Sequence, residues 1–364
     1  MPAIPFTVGP SKLSQQTKND LRDAIDLGIA EMSHRSAQFS AMSGSAIEGL
    51  RTFFRIPEEY RVFFTSSATE AMELTIRNLV RTCSFHFVCG RFSELFAEVS
   101  EANHKMADRT DVPWGTSPAY DPVTVSPRAE LIAITANETS TGVMCTPEDI
   151  NRIRVAHPDR LLAVDITSIA GMKTYAIADA DVWFFSVQKG CGLPSGLGVL
   201  IVSPRAFERS GELRKSHANL AGLFTFSAMD QCMREKAQTV CTPNVLDIFL
   251  LERQLKRWNA EGGSAQKERQ SREKAALLYG AVECSTVFRC FVDDPAHRSI
   301  SMGVLTGELK DIARFHALAR EEGLLPGKGY GKLKESTIRI ALFPAITMAE
   351  LERLMRVMER VERE

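Results

Sequence analysis

The sequence predicts an α/β protein in which a large domain with a mainly parallel sheet precedes a smaller α+β domain. Short apolar runs alternate with helix-compatible segments between residues 62 and 202, which is the pattern of strands joined by crossover helices. A glycine pair, Gly262-Gly263, then interrupts a charged helical stretch, and the pattern changes after it. The length of 364 residues is enough for about two domains.

Six short apolar runs have the composition of buried strands. In chain order they are residues 62–64, 85–89, 131–135, 161–164, 182–185 and 199–202. Helical patterns lie between several of them, over residues 68–80, 93–103 and 147–155. A strand, a helix and a further strand favour parallel pairing with the helix on one face, so this alternation predicts a sheet with substantial parallel character.

The residues after the glycine pair predict a long helix through 274–279, strands around 286–291 and 338–342, and a terminal amphipathic helix. That last helix starts with the capping box Thr347-x-x-Glu350 and continues with apolar residues at helical spacing: Leu351, Leu354, Met355, Met358 and Val361. The predicted organisation is therefore an N-terminal arm over 1–12, a large domain over 13–258 and a small C-terminal domain over 259–364.

The charge and hydropathy of the chain exclude several classes of partner. Forty-four Lys and Arg residues against 45 Asp and Glu residues give a net charge of -1, so no overall field attracts nucleic acid or an anionic membrane. The apolar run at 197–203 is far shorter than the ~20 residues of a membrane-spanning helix. The first twelve residues lack the pattern of a secretory signal, and we expect a cytoplasmic protein.

The cysteines and histidines do not have the spacing of a metal or disulfide framework. Eight cysteines are scattered along the chain, and no two have the C-x2-C spacing of a zinc or redox site. The histidines also lack metal-ligand spacing. We therefore expect free thiols and no metal.

A single lysine marks the first candidate for chemistry. Lys189 follows the apolar run at 182–185 and precedes the glycine-rich turn GCGLPSGLG. The ends of strands are where α/β sheets form ligand crevices. Taken alone, this lysine is more typical of a solvated loop, and the turn lacks the Gly-Lys-Ser/Thr of a Walker loop.

An aspartate and a hydroxyl-rich turn extend this candidate site. Asp165 ends the run at 161–165 and is expected at the same edge of the sheet as Lys189, although alone it could be a helix cap. A lysine and an aspartate so placed are what pyridoxal phosphate (PLP) chemistry requires, the first for a Schiff base and the second to keep the pyridine nitrogen protonated. The turn at 64–70, FTSSATE, is typical of phosphate binding at a helix N-terminus or of an ordinary cap.

Taken in order, these elements resemble the phosphoserine aminotransferases within the class V, fold-type I family of PLP-dependent aminotransferases. The resemblance runs nearly end to end. It is carried by Phe6-Thr-Val-Gly9-Pro10, Ser33-His34-Arg35-Ser36, Ile56-Pro57, Tyr60-Arg-Val-Phe-Phe, Asn137-Glu138-Thr139-x-x-Gly142, Asp165, Gln188-Lys189, Thr242-Pro243, Lys274-Ala-Ala-Leu-Leu-Tyr279 and Arg339-Ile-Ala-Leu-Phe. Each motif is weak alone, but their number and order are specific.

The resemblance implies a cofactor role for each matching residue. Lys189 would bind PLP covalently and shuttle a proton, and Asp165 would pair with the pyridine nitrogen. Phe92 would stack on the ring where the family has a tryptophan, and Thr139 would bond near the ring hydroxyl. The remaining matches would hold the cofactor phosphate: Ser67, Ala68, Thr69, Gln188 and, from a second subunit, Thr242.

The resemblance also implies a substrate and an assembly. His34 and Arg35 of the partner subunit, together with Arg339, would hold the anionic groups of the substrate. The enzyme would be a homodimer with shared active sites. Its reaction would be transamination between 3-phosphohydroxypyruvate and glutamate, giving O-phosphoserine and 2-oxoglutarate in serine biosynthesis.

Two positions depart from the family pattern. Tyr330-Gly331 stand where the family has a His-Arg pair that helps to bind the substrate phosphate, and Cys241 stands where it has an asparagine beside the cofactor-phosphate threonine. The cations left for a phosphate are His34 and Arg35, with Lys328 or Lys332.

These departures leave alternatives open. A class V aminotransferase for a different oxo acid is the first of them. A PLP-dependent lyase or desulfurase with Cys191 as nucleophile is less favoured, because that thiol lies in a glycine-rich setting that indicates packing. A binding protein without catalysis is disfavoured, because Lys189 and Asp165 are both present.

Overall fold

A computed structural model describes residues 3–363, so residues 1 and 2 of the predicted arm and residue 364 lie outside the described residues. The described strands are β1 Ile4–Phe6, β2 Arg61–Thr65, β3 Cys83–Val88, β4 Met106–Asp111, β5 Leu131–Thr135, β6 Asn137–Glu138, β7 Val143–Met144, β8 Leu161–Asp165, β9 Val182–Ser186, β10 Gly198–Val202, β11 Arg289–Cys290, β12 Met302–Thr306, β13 Leu324–Lys328 and β14 Thr337–Ala341. The described α-helices are α1 Gln15–Asp26, α2 Ala37–Phe54, α3 Ala68–Leu79, α4 Arg91–Ala102, α5 Pro147–Ala156, α6 Pro204–Lys215, α7 Phe226–Lys236, α8 Val245–Ala260, α9 Gly263–Glu283, α10 Leu309–Glu321 and α11 Met348–Arg363.

Seven strands form the larger sheet, in the order β2-β10-β9-β8-β5-β3-β4. Strand β10 is antiparallel to both of its neighbours, and all other pairs in this sheet are parallel. Every residue of β5, β8 and β9 is buried, as expected for a parallel sheet covered by helices on both faces. The predicted fold class, an α/β protein with a mainly parallel sheet, is confirmed.

The smaller sheet has the order β1-β13-β14-β12-β11. Its strands pair antiparallel except at β1, which runs parallel to β13 with Ile4 opposite Leu324. Strand β1 thus joins a sheet whose other strands lie about 300 residues away along the chain. The pairing supplies hydrogen-bond partners for its backbone groups and buries Phe6. The sequence pattern did not indicate this pairing. The boundaries at residues 12 and 258 stay predictions.

Helix α11 follows the predicted capping box. The Thr347 hydroxyl accepts the Glu350 N–H at 3.2 Å, and the Glu350 carboxylate accepts the Thr347 N–H at 2.9 Å. The helix packs on α9 and α10, and the five apolar residues that the spacing singled out are buried. The capping box and the apolar face are thus confirmed.

The β6-β7 hairpin connects the two sheets. It follows β5 of the larger sheet directly, and its turn approaches the smaller sheet at Gly142. There, φ is +80° and an added Cβ would lie 2.9 Å from Val304 Cγ2, so only glycine fits. The Ser299 N–H donates to the Gly142 carbonyl at 3.0 Å. This hairpin holds the carboxyl edge of the larger sheet against the smaller sheet.

All eight cysteines are free thiols, as expected, and four of them are buried: Cys83, Cys89, Cys145 and Cys191. Within residues 3–363, no helix combines the length and the apolar composition that crossing a lipid bilayer requires.

Candidate active site

A cavity of about 310 Å³ lies at the carboxyl edge of the larger sheet, where the N-terminus of α3 and the smaller sheet meet it. This is the edge at which an α/β sheet is expected to bind ligands. Both sheets and the segment after β1 contribute to its wall. The lining residues are Val8, Gly9, Pro10, Ala68, Thr69, Met72, Phe92, Asn137, Thr139, Asp165, Thr167, Ser168, Ser186, Gln188, Lys189, Ser195, Tyr330 and Arg339.

Lys189 lies in this cavity, three residues beyond the end of β9. Its Nζ is 3.2 Å from Thr139 Oγ1 and 4.3 Å from the centroid of the Phe92 ring. The segment after β1 packs on its stem, because a Cβ added at Gly9 would lie 3.2 Å from Lys189 Cε. Burial lowers the pKa of Lys189, which increases the fraction of neutral, nucleophilic amine at neutral pH.

Asp165 ends β8, the neighbour of β9, and is buried in the same cavity. Its Oδ1 accepts the Thr167 N–H at 2.8 Å and the Thr167 hydroxyl at 2.5 Å. Burial raises the pKa of Asp165, while the Thr167 donors and the Lys189 ammonium oppose that rise. Both hydrogen bonds end on Oδ1, which leaves Oδ2 for a ligand.

The N-terminus of α3 forms one end of the cavity through Ala68 and Thr69. The Ala68 N–H donates to Ser186 Oγ at 2.6 Å. Ser67 is the N-cap of this helix, since its Oγ accepts the Glu70 N–H at 3.1 Å, and it does not line the cavity. A helix N-terminus favours anions through its free N–H groups and its dipole.

Arg339 enters the cavity from β14 of the smaller sheet. Its Nε donates to the Lys328 carbonyl at 2.8 Å and its Nη1 to the Thr139 carbonyl at 3.3 Å. Burial lowers the pKa of Arg339. No carboxylate of residues 3–363 forms an ion pair with this guanidinium, which makes it suited to bind the carboxylate of a substrate.

Tyr330 also lines the cavity, and its contacts were not evident from the sequence. Its ring centroid is 5.7 Å from that of Phe92 and 5.3 Å from Cζ of Arg339. A cation over an aromatic face is attracted by the quadrupole of the ring. Tyr330 therefore stands between the ring and the arginine that the resemblance assigned to cofactor and substrate.

Three other residues that line the cavity, Thr167, Ser168 and Asn137, could also have been predicted from the sequence. Thr167 and Ser168 follow the strand that Asp165 ends, so the rule that placed Asp165 also applies to them. Asn137 is the first residue of the Asn-Glu-Thr motif, and its Nδ2 donates to Ser168 Oγ at 2.8 Å.

Besides Ser67, three further predicted residues do not line the cavity of their own chain. Thr242 and Arg35 are exposed, and the Arg35 guanidinium donates to Gln238 Oε1 at 3.2 Å and to the Thr239 carbonyl at 3.1 Å. His34 is half-buried, and burial lowers its pKa. Their contribution to a second subunit's site stays a prediction.

The two lysines considered for a substrate phosphate are engaged elsewhere. Lys328 Nζ is 3.1 Å from Glu335 Oε2, and Lys332 Nζ lies 4.5 Å from the centroid of a Trp114 ring. Neither lines the cavity.

Comparison with known proteins assigns this site to a family. Residues 111–354 match the family model described as Aminotransferase class-V. The chain belongs to this family. Class V membership makes it an aminotransferase that acts on small molecules, in a family whose members are PLP enzymes.

Several class V relatives match this chain over almost its whole length. The phosphoserine aminotransferase of Rhodococcus opacus (strain B4) is 31% identical, covering 98% of this chain and 94% of the relative. That of Corynebacterium glutamicum (strain R) is 30% identical, covering 96% and 92%.

Solved structures agree with this assignment. The phosphoserine aminotransferase of Cytophaga hutchinsonii ATCC 33406 has a TM-score of 0.94 at 34% identity and covers 98% of both chains. An aspartate aminotransferase from Thermus thermophilus shares the fold at a TM-score of 0.82 and 23% identity over 99% of both chains. These matches confirm the class V, fold-type I assignment.

Proposed function

We propose that this class V aminotransferase binds PLP in the cavity and transfers the amino group of glutamate to 3-phosphohydroxypyruvate. The products are O-phosphoserine and 2-oxoglutarate, in serine biosynthesis. The observation that carries this proposal is the presence of one amine, one carboxylate and one guanidinium, those of Lys189, Asp165 and Arg339, in a single cavity of about 310 Å³. The names and near-complete overlap of the relatives support the choice of substrate.

The residues of the cavity fit PLP at each of its functional groups. The N-terminus of α3 with Thr69 suits the phosphate, and the Gln188 side-chain amide, which also lines the cavity, can donate a hydrogen bond to it through Nε2. Asp165 suits the pyridine nitrogen, and Lys189 suits the aldehyde carbon. When bound, PLP supplies an electron sink for the charge that develops at the substrate's α-carbon.

Each residue then has a defined task. Lys189 Nζ would hold the cofactor through its aldehyde carbon, for which the lowered pKa supplies a neutral amine, and would move the proton of the substrate's α-carbon. Thr139 orients this amine through its hydroxyl. Asp165 holds the proton on the pyridine nitrogen. Arg339 binds the α-carboxylate in a two-pronged geometry.

We further propose that the active unit is a homodimer in the cytoplasm and that Arg35, His34 and Thr242 act in the neighbour's site. Arg35 bonds the segment at 238–240 of its own chain, which leads directly to Thr242. The three residues therefore form one connected surface, as expected if they serve the same neighbouring cavity.

A hybrid-dimer experiment tests this assembly. Lys189→Ala and Arg35→Ala proteins are each expected to be inactive, but an equimolar mixture should recover up to about a quarter of wild-type activity, because half of the dimers are hybrids with one intact site of two. The matched control mixes Lys189→Ala with Asp165→Asn, which damages both sites of every hybrid and should give no recovery. No recovery in the first mixture after verified subunit exchange contradicts shared sites.

The surroundings of the substrate's far end favour a second candidate function, transamination of a different oxo acid. Within one chain, Lys189 and Arg339 are the only Lys or Arg side chains that line the cavity, counted over residues 3–363. Tyr330 offers a neutral hydroxyl where the resemblance expected histidine. A phosphate would depend on His34 and Arg35 of the partner subunit.

Substrate kinetics distinguish the two candidates. We expect the wild type to use 3-phosphohydroxypyruvate, and Tyr330→His to raise its kcat/KM relative to hydroxypyruvate and pyruvate by about ten-fold, the value of one charged hydrogen bond. The double variant Tyr330→His/Gly331→Arg would restore both residues of the family's His-Arg pair. Because Gly331 has a φ of +51°, the arginine adds backbone strain, and the double variant is therefore compared with the single Tyr330→His variant. An unchanged ratio of kcat/KM values shows that the loop at 330–331 does not contribute to recognition of the substrate phosphate. If the wild type does not turn over 3-phosphohydroxypyruvate, the proposed substrate is wrong, and transamination of a different oxo acid becomes the preferred function.

The structure gives no support to a lyase or desulfurase that uses Cys191. This thiol is buried, and burial raises its pKa to about 12, so the reactive thiolate is disfavoured at neutral pH.

A further inference from the structure

Glu138 is a fully buried carboxylate that does not itself line the cavity. Its Oε2 accepts the Phe92 and Ser93 N–H groups, each at 2.9 Å, and the Ser93 hydroxyl at 3.1 Å. Its Oε1 accepts the Ser140 N–H at 3.2 Å and the Ser140 hydroxyl at 2.7 Å. Four donors, together with the Ser93 hydroxyl that is shared with the Gly90 carbonyl at 3.0 Å, compensate the cost of burying the charge of this carboxylate.

These bonds give helix α4 the cap that its own sequence lacks. The residue at the N-cap position is Gly90, which has no side chain to accept an N–H. Ser140 Oγ accepts the Arg91 N–H at 2.9 Å, and Glu138 accepts the next two. The negative charge of Glu138 also lies at the positive end of the helix dipole.

The start of α4 packs closely against Glu138 and Ser140 at Gly90. A Cβ added at Gly90 would lie 2.4 Å from Glu138 Cγ and 2.5 Å from Ser140 Oγ. The φ of Gly90 is close to 180°, so glycine is required here by close approach and not by backbone conformation.

Both ends of this contact lead into the active site. On α4, the second residue is Phe92, whose ring lies 4.3 Å from Lys189 Nζ. On the β6-β7 hairpin, the residue after Glu138 is Thr139, which bonds Lys189 through its hydroxyl and Arg339 through its carbonyl. We propose that Glu138 is a positioning residue that sets the Phe92 ring and the Thr139 hydroxyl relative to Lys189. This inference rests on the proposed binding of PLP beside Lys189.

Binding of PLP to the apoprotein tests the inference without relying on turnover. Glu138→Ala removes every acceptor for two N–H groups of α4, and we expect PLP affinity to fall about 10- to 100-fold. The dichroic signal of bound PLP in its visible band should also change, because that signal depends on the orientation of the ring. Glu138→Gln keeps a carbonyl oxygen for the Phe92 and Ser93 N–H groups but loses the charge, so its affinity should fall by less than about five-fold.

Asp149→Ala is the matched control. Asp149 is a buried carboxylate that caps α5 by accepting the Thr146 N–H at 2.9 Å, and α5 contributes no residue to the cavity. We expect Asp149→Ala to lower the melting temperature as Glu138→Ala does but to leave PLP affinity and dichroism unchanged. Equal losses of affinity in both variants overturn the positioning role, as does a Glu138→Ala protein that binds PLP like the wild type.

Two further results are decisive. If Glu138→Ala fails to fold, Ser140→Ala is used, because it removes the acceptor of the Arg91 N–H and one donor to Glu138. Weaker PLP binding with altered dichroism in Ser140→Ala supports the inference, and wild-type behaviour in both signals overturns it. A wild type that takes up no PLP contradicts the proposed function itself, which is a different failure.

Discussion

A Lys189→Ala variant is expected to lose transaminase activity by at least about 10²- to 10⁴-fold, the range that a positioned proton-transfer group contributes. The reason is that Lys189 is the amine that lies against both Thr139 and Phe92, and no other lysine lines the cavity among residues 3–363. Borohydride treatment of the wild type should fix PLP to the peptide that contains Lys189, and the variant should show no such adduct.

Lys173→Ala provides the control for this experiment. Lys173 is also a partly buried lysine, but it pairs with Glu268 at 3.1 Å and does not line the cavity. Its replacement should leave both turnover and the borohydride adduct intact. Wild-type turnover in Lys189→Ala, or an adduct on another lysine, contradicts the assignment of Lys189.

The second large effect is expected at Asp165. Asp165→Asn should reduce the rate on the order of 10²-fold or more while PLP still binds, because an amide cannot hold the proton of the pyridine nitrogen by charge. The side-chain position should be retained, since the amide oxygen can accept both bonds from Thr167 that now end on Oδ1. Single-turnover rates with glutamate, measured beside PLP affinity, separate the two effects.

The stability of the apoprotein is a second measurement for Asp165→Asn, and here the substitution is expected to cause no loss although it lowers the rate. Burial raises the pKa of Asp165 above its usual 3.8, so the folded state binds the proton more tightly than the unfolded state. The stabilisation of the folded state by this tighter proton binding is fully present below pH 3.8, and it is lost as the pH rises through the folded-state pKa of Asp165. The amide of Asp165→Asn does not titrate, so the variant does not lose this stability as the pH rises. Its apoprotein should therefore be at least as stable as that of the wild type at pH 7.

Asp247→Asn is the control for Asp165. Asp247 is another buried carboxyl, and burial raises its pKa to about 6, but it lies outside the cavity on α8. Its replacement should change the pH dependence of stability in the same direction and leave the rate unchanged. An Asp165→Asn protein within a few-fold of the wild-type rate refutes the assigned role.

The sequence by itself determined the fold class and the centre of the site. Asp165 and Lys189 could be placed together because parallel strands end at one edge of a sheet, and this rule needs only the positions of the strands. The capping box at Thr347 and Glu350 was also readable, because both partners lie within one helical turn. Local spacing and strand order are properties of the chain itself.

Only the tertiary structure decided how the outer parts of the site meet. The contact of Glu138 with the start of α4 joins residues 46 positions apart, and Arg339 bonds Thr139 across 200 positions. Tyr330, in the segment between β13 and β14, contacts Phe92 on α4, and β1 pairs with β13 from the opposite end of the chain. Such contacts leave no periodic or spacing signal, because they depend on how two sheets pack and on which buried polar groups then need partners.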